Sequence, residues 1–209
     1  WLNSDDLYAE GAISHLVSEF LGPTEYKLAA GSCEVFNSQD GQIVEKQEFT
    51  PPSLFSRGII DQPSTQLNGC LLSRNLIRKV GEFDLSFDIV GDTDYLIRIA
   101  AEKPNVAKTP KVAYRYRQHS ESLTFDKTKD FNRKMEIKKR EGVRLGLKHM
   151  ENRDFPDELR NYCRLIFRRN SAYLTKEYVK NCDVLKSAEI FSQATQTDPL
   201  WLLWVWRQL

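Results

Sequence analysis

The chain is poor in cysteine and has no long hydrophobic run. Its 209 residues include four widely spaced cysteines and no CxxC pair: Cys33, Cys70, Cys163 and Cys182. This spacing excludes a paired-cysteine metal site and a dense disulfide framework, and it is typical of reduced thiols in the cytosol. No apolar run approaches the roughly 20 residues that span a bilayer, and no signal peptide is recognisable. We therefore predict a cytoplasmic chain.

Net charge is also nearly absent, at +1, but the two halves of the chain differ in sign. Residues 1–125 contain 12 Lys/Arg against 17 Asp/Glu, which gives −5, and residues 126–209 contain 18 against 12, which gives +6. A basic half favours contact with an anionic partner, such as a membrane surface, a lipid phosphate or a nucleic acid. The alternative is an ordinary solvated helical face.

Apolar periodicity divides the chain into an α/β part over residues 1–124 and a helical part over residues 125–209. In the first part we predict a helix over 9–21, a hairpin of 27–36 with 43–49, a strand over 67–72, helices over 74–80 and 92–102, and a strand over 112–116. In the second part we predict helices over 127–150, 156–178, 183–196 and 199–208. The composition, 41% hydrophobic and 28% charged, is that of a globular protein.

Two acidic clusters carry the main chemical signal. The first, Asn3-Ser4-Asp5-Asp6, follows the apolar pair Trp1-Leu2, which we interpret as the end of a strand. The second, Gly91-Asp92-Thr93-Asp94, opens a predicted helix. Carboxylates at the C-terminal edge of a strand suit a divalent cation and a phosphorylated ligand, and a further carboxylate suits proton abstraction. Alternatively, Asp5 and Asp6 simply cap the following helix.

Five short segments occur in an informative order. They are Trp1-Leu2-Asn3-Ser4-Asp5-Asp6, the hairpin from Gly31 to Val44, Gln62-Pro63-Ser64-Thr65, the block from Val80-Gly81-Glu82-Phe83-Asp84 to Asp92-Thr93-Asp94-Tyr95-Leu96-Ile97-Arg98, and Arg117-Gln118-His119-Ser120-Glu121-Ser122-Leu123-Thr124. In this order they resemble the DXD segment, the hairpin, the acceptor-side strand entry, the GxFD…DxDxxxR block and the RxHxxSxT ending of family 2 glycosyltransferases with the GT-A fold.

The resemblance implies a fold class. We expect an α/β fold, a partial GT-A (Rossmann-like) mixed sheet that lacks its N-terminal nucleotide-binding strands, followed by an all-α C-terminal extension. Because the chain opens in mid-pattern at Trp1-Leu2, we expect it to be a piece of a longer protein. Such a piece should bind a nucleotide-sugar poorly and turn over little or nothing by itself.

The resemblance assigns metal binding to the first cluster. It implies that Asp5 binds Mg²⁺ or Mn²⁺ at the donor's two phosphates, with Asn3 and Asp6 as neighbouring cofactor-binding residues. Asn3 stands where the family has its first Asp, so we expect the metal to depend on Asp5 and a later residue, His119. The alternative for His119 is a solvated loop histidine. Two histidines lie outside any such motif and are predicted to be surface residues: His15 and His149.

The second cluster supplies the candidate general base. Inverting transfer needs a carboxylate that takes the proton of the acceptor hydroxyl, and Asp92 at a helix N-terminus would be held ionised for that role. Asp94 and Arg98, four residues apart, can pair and are predicted to be structural. The family often has Glu before its base, where this chain has Gly91.

The implied activity is the transfer of a sugar from a nucleotide-sugar donor to a hydroxyl of a saccharide or lipid-linked acceptor. The resemblance suggests a pathway of surface polysaccharide or glycolipid biosynthesis. Two alternatives stay open: a nucleotidyltransferase with a similar sheet and a carboxylate-bound Mg²⁺, and a non-catalytic relative that acts as a scaffold through its helical tail.

The helical part suggests a membrane contact. Residues 127–148 contain nine Lys/Arg, and the chain ends in an apolar segment with Trp201, Trp204 and Trp206. A basic helix with an aromatic end suits peripheral docking on an anionic inner leaflet. The alternative is that these tryptophans pack on neighbouring helices. Because no nucleic-acid reader module accompanies the basic helix, we do not expect nucleic-acid binding.

Overall fold

The structure, a computed structural model, describes residues 2–21, 27–48, 67–119 and 131–206. It is a mixed α/β architecture with a five-stranded mixed sheet and a C-terminal helical region. The fold class is confirmed at this level, and the GT-A relationship stays a prediction. The chain divides into a sheet unit, Trp1–Asp84 with Gly91–Thr128, and a helical unit, Leu85–Val90 with Lys129–Leu209.

In its described residues the sheet unit contains five strands, three α-helices and a 3₁₀ turn. Its elements are β1 (Leu7–Tyr8), α1 (Ala12–Phe20), β2 (Lys27–Asn37), β3 (Ile43–Gln47), a 3₁₀ turn (Leu67–Gly69), β4 (Cys70–Leu72), α2 (Arg74–Val80), α3 (Gly91–Ala101) and β5 (Asn105–Gln118).

Strand β2 is the centre of the sheet. It runs parallel to β5 and antiparallel to β3 and β4, while β1 pairs antiparallel with β5 on the other side. Its position follows from its composition, because an apolar run buried on both faces is the pattern of a central strand. Helix α1 covers one face by packing Ala12 and Leu16 against Ala29 and Ala113.

Most of the predicted elements of the sheet unit are confirmed. The β2–β3 hairpin closes through a turn in which Asn37 Oδ1 accepts from the Gln39 amide at 2.8 Å and Asp40 Oδ1 accepts from the Gln42 amide at 2.9 Å. The strand expected over 67–72 is a strand only from Cys70, since the first half forms the 3₁₀ turn. Residues 49–66, which include the Gln62–Thr65 segment, lie outside the described residues.

The predicted strand end before the first acidic cluster is wrong for Leu2. Leu2 belongs to no strand, and Trp1 lies outside the described residues. The chain instead turns at the cluster, where the Asp6 amide donates to the Asn3 carbonyl at 3.2 Å, and the short strand β1 follows it. The carboxylates therefore precede a strand rather than end one.

The predicted pairing of Asp94 with Arg98 in helix α3 is confirmed. The guanidinium Nε lies 2.8 Å from Asp94 Oδ2, and the Asp94 side chain is fully buried. Arg98 also donates to the carbonyls of Val80 and Glu82 at 2.7 and 2.9 Å. The pair therefore ties α3 to the end of α2 and has a structural role.

As far as it is described, the helical unit consists of four helices and one short segment from earlier in the chain. The helices are α4 (Phe131–Met150), α5 (Asp157–Lys180), α6 (Val184–Thr197) and α7 (Trp201–Trp206). They match the predicted helical ranges as far as the described residues extend. Gly142 and Gly146, one turn apart on α4, lie directly against α5 at Asn170 and Phe167.

The buried Glu141 of α4 holds the segment Leu85–Val90 to the helical unit. One carboxylate oxygen accepts from the Asp88 amide at 2.8 Å, and the other accepts from the Ile89 and Val90 amides at 2.8 and 3.0 Å. Arg144 adds a bond to the Ser86 carbonyl at 3.0 Å. The sequence analysis did not predict that this segment belongs with the helices.

Trp201 and His149 of the helical unit are both buried. Trp201 is 1% exposed, meets the Phe191 ring edge-on at 5.6 Å and donates from its indole to the Arg168 carbonyl. Trp201 therefore packs on neighbouring helices, which is the alternative to membrane docking. His149, predicted to be a surface residue, is buried and stacks on Phe155 at 5.1 Å, so that prediction is wrong. No helix in the described part of the chain is long and apolar enough to cross a bilayer.

Candidate metal and catalytic site

The first acidic cluster lies beside the C-terminal end of β5. The antiparallel pairing of β1 with β5 sets Leu7 opposite Arg115. The residues just before β1 therefore lie beside the residues that follow Arg115. Asp5 Oδ2 lies 3.0 Å from His119 Nε2, and the two side chains are 41% and 23% exposed. The two residues predicted from sequence to hold a metal, 114 positions apart, are thus in contact and accessible to solvent.

Asp6 has a different environment from its neighbour. It is buried, and its carboxylate accepts three hydrogen bonds, from Asn3 Nδ2 at 3.1 Å, from the Arg117 amide at 2.8 Å and from the Tyr114 hydroxyl. These bonds occupy both oxygens. Its contact with a cofactor stays a prediction, whereas its anchoring of the cluster is observed.

Arg117 fixes the backbone of the same cluster. Its amide bonds to Asp6, and its Nε donates to the carbonyl of Asp5 at 2.6 Å. The sequence analysis quoted Arg117 within the last motif but gave it no role. Its spacing two residues before His119, at the end of an extended segment, could have indicated that both side chains reach the acidic cluster.

The helix-cap interpretation of Asp5 and Asp6 is excluded by the position of α1. The helix begins at Ala12 with Gly11 as its N-cap, and no side chain caps it. Strand β1 separates the helix from the acidic cluster. The two carboxylates therefore have contacts of their own, with β5 and His119.

The electrostatics of the cluster keep Asp5 ionised. The hydrogen bond with His119 lowers the pKa of the Asp5 carboxyl below its ordinary value. Burial, with the added effect of the Asp6 carboxylate, raises the pKa of Tyr114, so its hydroxyl stays protonated and donates. An ionised, accessible carboxylate beside an imidazole is a plausible ligand pair for a divalent cation.

A shared cation would replace the hydrogen bond between Asp5 and His119, because the same two atoms would become its ligands. Ligands at right angles and about 2.1 Å from an octahedral ion are about 3.0 Å apart, as the two atoms are here. Within the described residues, no group of three or more His, Cys, Asp or Glu is placed to hold a metal. The remaining ligands would have to be water or donor oxygens, which is how Mg²⁺ is usually held beside phosphates.

Asp92 lies elsewhere in the sheet unit, in the first turn of α3. Its carboxylate is exposed, and Oδ1 accepts from the Thr93 amide at 2.6 Å and from the Thr93 hydroxyl at 3.2 Å. The predicted helix N-terminal location is confirmed. The hydrogen bonds given above join Asn3, Asp5, Asp6 and His119 in one cluster and do not include Asp92. Its sharing of a cleft with Asp5 stays a prediction.

Comparison with known proteins adds no family to this geometry. No family model matches the chain, and no curated protein matches it. A relationship to family 2 glycosyltransferases therefore stays a prediction from the five sequence segments.

Proposed function

We propose that this chain belongs to a glycosyltransferase that moves a sugar from a nucleotide-sugar donor to a hydroxyl of a saccharide or lipid-linked acceptor, with inversion and with a divalent cation. The observation that carries the proposal is the solvent-accessible contact between Asp5 and His119, held in place by the buried Asp6. The contact supports the proposal because it joins the first and last segments of the motif series, as the resemblance implies.

In this proposal Asp5 and His119 are the residues that would hold the cation. A bound cation would neutralise the charge that develops on the nucleoside diphosphate as the sugar leaves. Arg117 keeps Asp5 in place through its backbone carbonyl, and Asp6 keeps the turn closed. Asn3, which donates to Asp6, orients that carboxylate.

Asp92 is the residue to which we assign the proton transfer. The acceptor hydroxyl attacks the anomeric carbon, the bond from that carbon to the diphosphate oxygen breaks, and the hydroxyl proton passes to the Asp92 carboxylate. The first turn of α3 favours the ionised form of this carboxylate. Asp94 is unsuited to the role because it is fully buried and bonded to Arg98.

The test is the substitution Asp92→Asn in the full gene product that carries this chain. We expect kcat for release of nucleoside diphosphate, assayed with Mn²⁺ over a panel of nucleotide-sugars, to fall about 100-fold or more, because a general base contributes about 10²–10⁴-fold. The donor KM should stay nearly unchanged. Asp5→Asn should instead raise the Mn²⁺ concentration needed for half-maximal rate.

The matched control is Asp40→Asn, which makes the same chemical change in the β2–β3 turn. There the side-chain oxygen accepts only from the Gln42 amide, a role that asparagine can also fill. An Asp92→Asn enzyme as active as the control would remove Asp92 from the mechanism. Absence of turnover by the wild type with every donor in the panel would overturn the transferase proposal and favour the scaffold alternative.

A further inference from the structure

A buried chain of polar side chains leads from the 3₁₀ turn to the first acidic cluster. Asn68 Nδ2 donates to the Tyr114 hydroxyl at 3.0 Å, and that hydroxyl donates to Asp6 Oδ2. Tyr114 is 1% exposed and Asn68 is 8% exposed. Within the described part of the chain, Asn68 Oδ1 has no hydrogen-bond partner although it is buried.

This arrangement is costly for a sheet that needs only to fold. A buried tyrosine and asparagine must be desolvated, and an apolar pair of similar volume would avoid that loss. The cost of burying Tyr114 and Asn68 is offset if the two side chains hold a neighbouring residue in a required geometry. The tyrosine hydroxyl donates to Asp6 and accepts from Asn68, so its one proton is committed to the carboxylate.

The geometry that is fixed is that of the adjacent residue, Asp5. Asp6 is held by Tyr114 and Asn3 through one oxygen and by the Arg117 amide through the other, so its side chain cannot rotate without breaking a bond. The Asp5 carbonyl is held by Arg117. The Asp5 carbonyl and the following residue are therefore both restrained, which limits the positions from which the Asp5 side chain can reach His119.

We propose that Tyr114 is a positioning residue for the Asp5–His119 pair, acting through Asp6 and supported by Asn68. This inference rests on the proposed function, since it takes the pair to be a cation site. Loss of the hydroxyl would leave the Asp6 carboxylate bonded to Asn3 and the Arg117 amide alone, which weakens the hold on the turn at Asn3–Asp6. Residues that orient metal ligands in this way typically change metal affinity about 10- to 100-fold when they are removed.

The chain offers a direct spectroscopic test, because it contains three histidines, His15, His119 and His149. Each gives a separate imidazole Cε1–H resonance, assigned by single substitutions. Paramagnetic Mn²⁺, added alone as the probe, should broaden the His119 resonance first in the wild type. In Tyr114→Phe we expect the Mn²⁺ concentration for half-broadening of His119 to rise about 10-fold or more.

The matched control is Tyr178→Phe, which removes another hydroxyl bonded to a carboxylate, that of Glu136 in the helical unit, at 2.6 Å. It should leave the His119 titration unchanged. His15 and His149 report whether each unit is folded, because one lies in α1 and the other is buried in α4. If Tyr114→Phe fails to fold by this criterion, Asn68→Ala is used, and the His119 midpoint should rise about 3-fold or more, a smaller change than the 10- to 100-fold given above because Asn68 acts through Tyr114.

The outcomes separate the two ideas. If the wild type shows no preferential broadening of His119, the pair is not a cation site, and the metal-dependent mechanism and this inference both fail. If the wild type binds and the folded variant has the same midpoint as the control, only the role of Tyr114 is wrong. A higher Mn²⁺ midpoint for His119 in Tyr114→Phe, with the His15 and His149 resonances unchanged, supports the inference.

Discussion

The close contact of α4 with α5 at Gly146 predicts a large loss of stability on substitution by alanine. A Cβ atom there would lie 2.6 Å from Phe167 Cβ, 2.7 Å from the Phe167 amide nitrogen and 2.8 Å from the Cys163 carbonyl oxygen. Two of these are backbone atoms of α5, which no rotamer change can move. The helices would have to separate to make room.

The magnitude follows from two opposing terms. Alanine in place of glycine stabilises an unstrained helix interior by about 1 kcal/mol. Against this, overpacking of a filled core costs about 1–3 kcal/mol, occasionally more, and Phe167 and Cys163 are fully buried. A contact with rigid backbone belongs at the upper end of that range, so we expect a net loss of about 2 kcal/mol, or about 4–8 °C in Tm for a chain of this size.

Gly142→Ala is the matched comparison on the same helix. Its Cβ would meet the end of the Asn170 side chain, at 2.6 Å from Cγ and closest to Nδ2. That side chain can rotate away at the cost of its bond to the Ile166 carbonyl, about 1 kcal/mol, which the gain in helix propensity offsets. We therefore expect Gly142→Ala to be nearly neutral.

Thermal and urea unfolding followed by circular dichroism at 222 nm measures both variants. The transition of the helical unit should shift to lower temperature in Gly146→Ala and stay in place in Gly142→Ala. Equal shifts in the two variants, or a stabilised Gly146→Ala, would refute the argument from backbone contact.

Two further predictions concern the helical unit. Burial and the bond to Glu136 raise the pKa of Tyr178 to about 12, above the ordinary tyrosine value. As pH rises, the Tyr178 hydroxyl therefore loses its proton in the unfolded state before it does so in the folded state. The protonated hydroxyl contributes fully to the free energy of unfolding below about pH 10, and this contribution is lost as pH rises through about 12. Tyr178→Phe lacks this loss, so its deficit in unfolding free energy relative to wild type should shrink over that window in urea titrations. A constant deficit would contradict the assignment. Separately, Glu141→Gln places an amide NH₂ group opposite backbone N–H donors, and each lost hydrogen bond costs about 1–3 kcal/mol. We expect hydrogen exchange of the Asp88, Ile89 and Val90 amides to become about 10-fold faster or more. Unchanged exchange would show that the carboxylate is not their acceptor in solution.

Local signals in the sequence predicted most of the elements. The spacing of Ile13, Leu16 and Phe20 predicted α1, Ser73 predicted the start of α2, and its hydroxyl does accept from the Leu76 amide at 3.2 Å. These signals work because helix periodicity and capping are properties of adjacent residues. Strand β1 was missed because two residues carry no periodicity, and its pairing with Arg115 and Tyr114 is a long-range contact.

The candidate site was predicted unevenly for the same reason. Motif order brought Asp5 and His119 together as ligands, and the structure places them 3.0 Å apart. The division of labour between Asp5 and Asp6 could not be read from adjacent identical residues. It depends on Tyr114, which reaches one carboxylate from more than a hundred positions away, and that distance carries no sequence signal.

The hydrogen bonds from Leu85–Val90 to Glu141 mean that two separate stretches of the chain belong to the helical unit. A segment made early in synthesis must await α4, whose acidic residue arrives some fifty positions later, before its amides are satisfied. No single cut can release either unit whole, because each is assembled from two separate stretches of chain. A swap of the C-terminal helices between relatives would have to carry residues 85–90 with them.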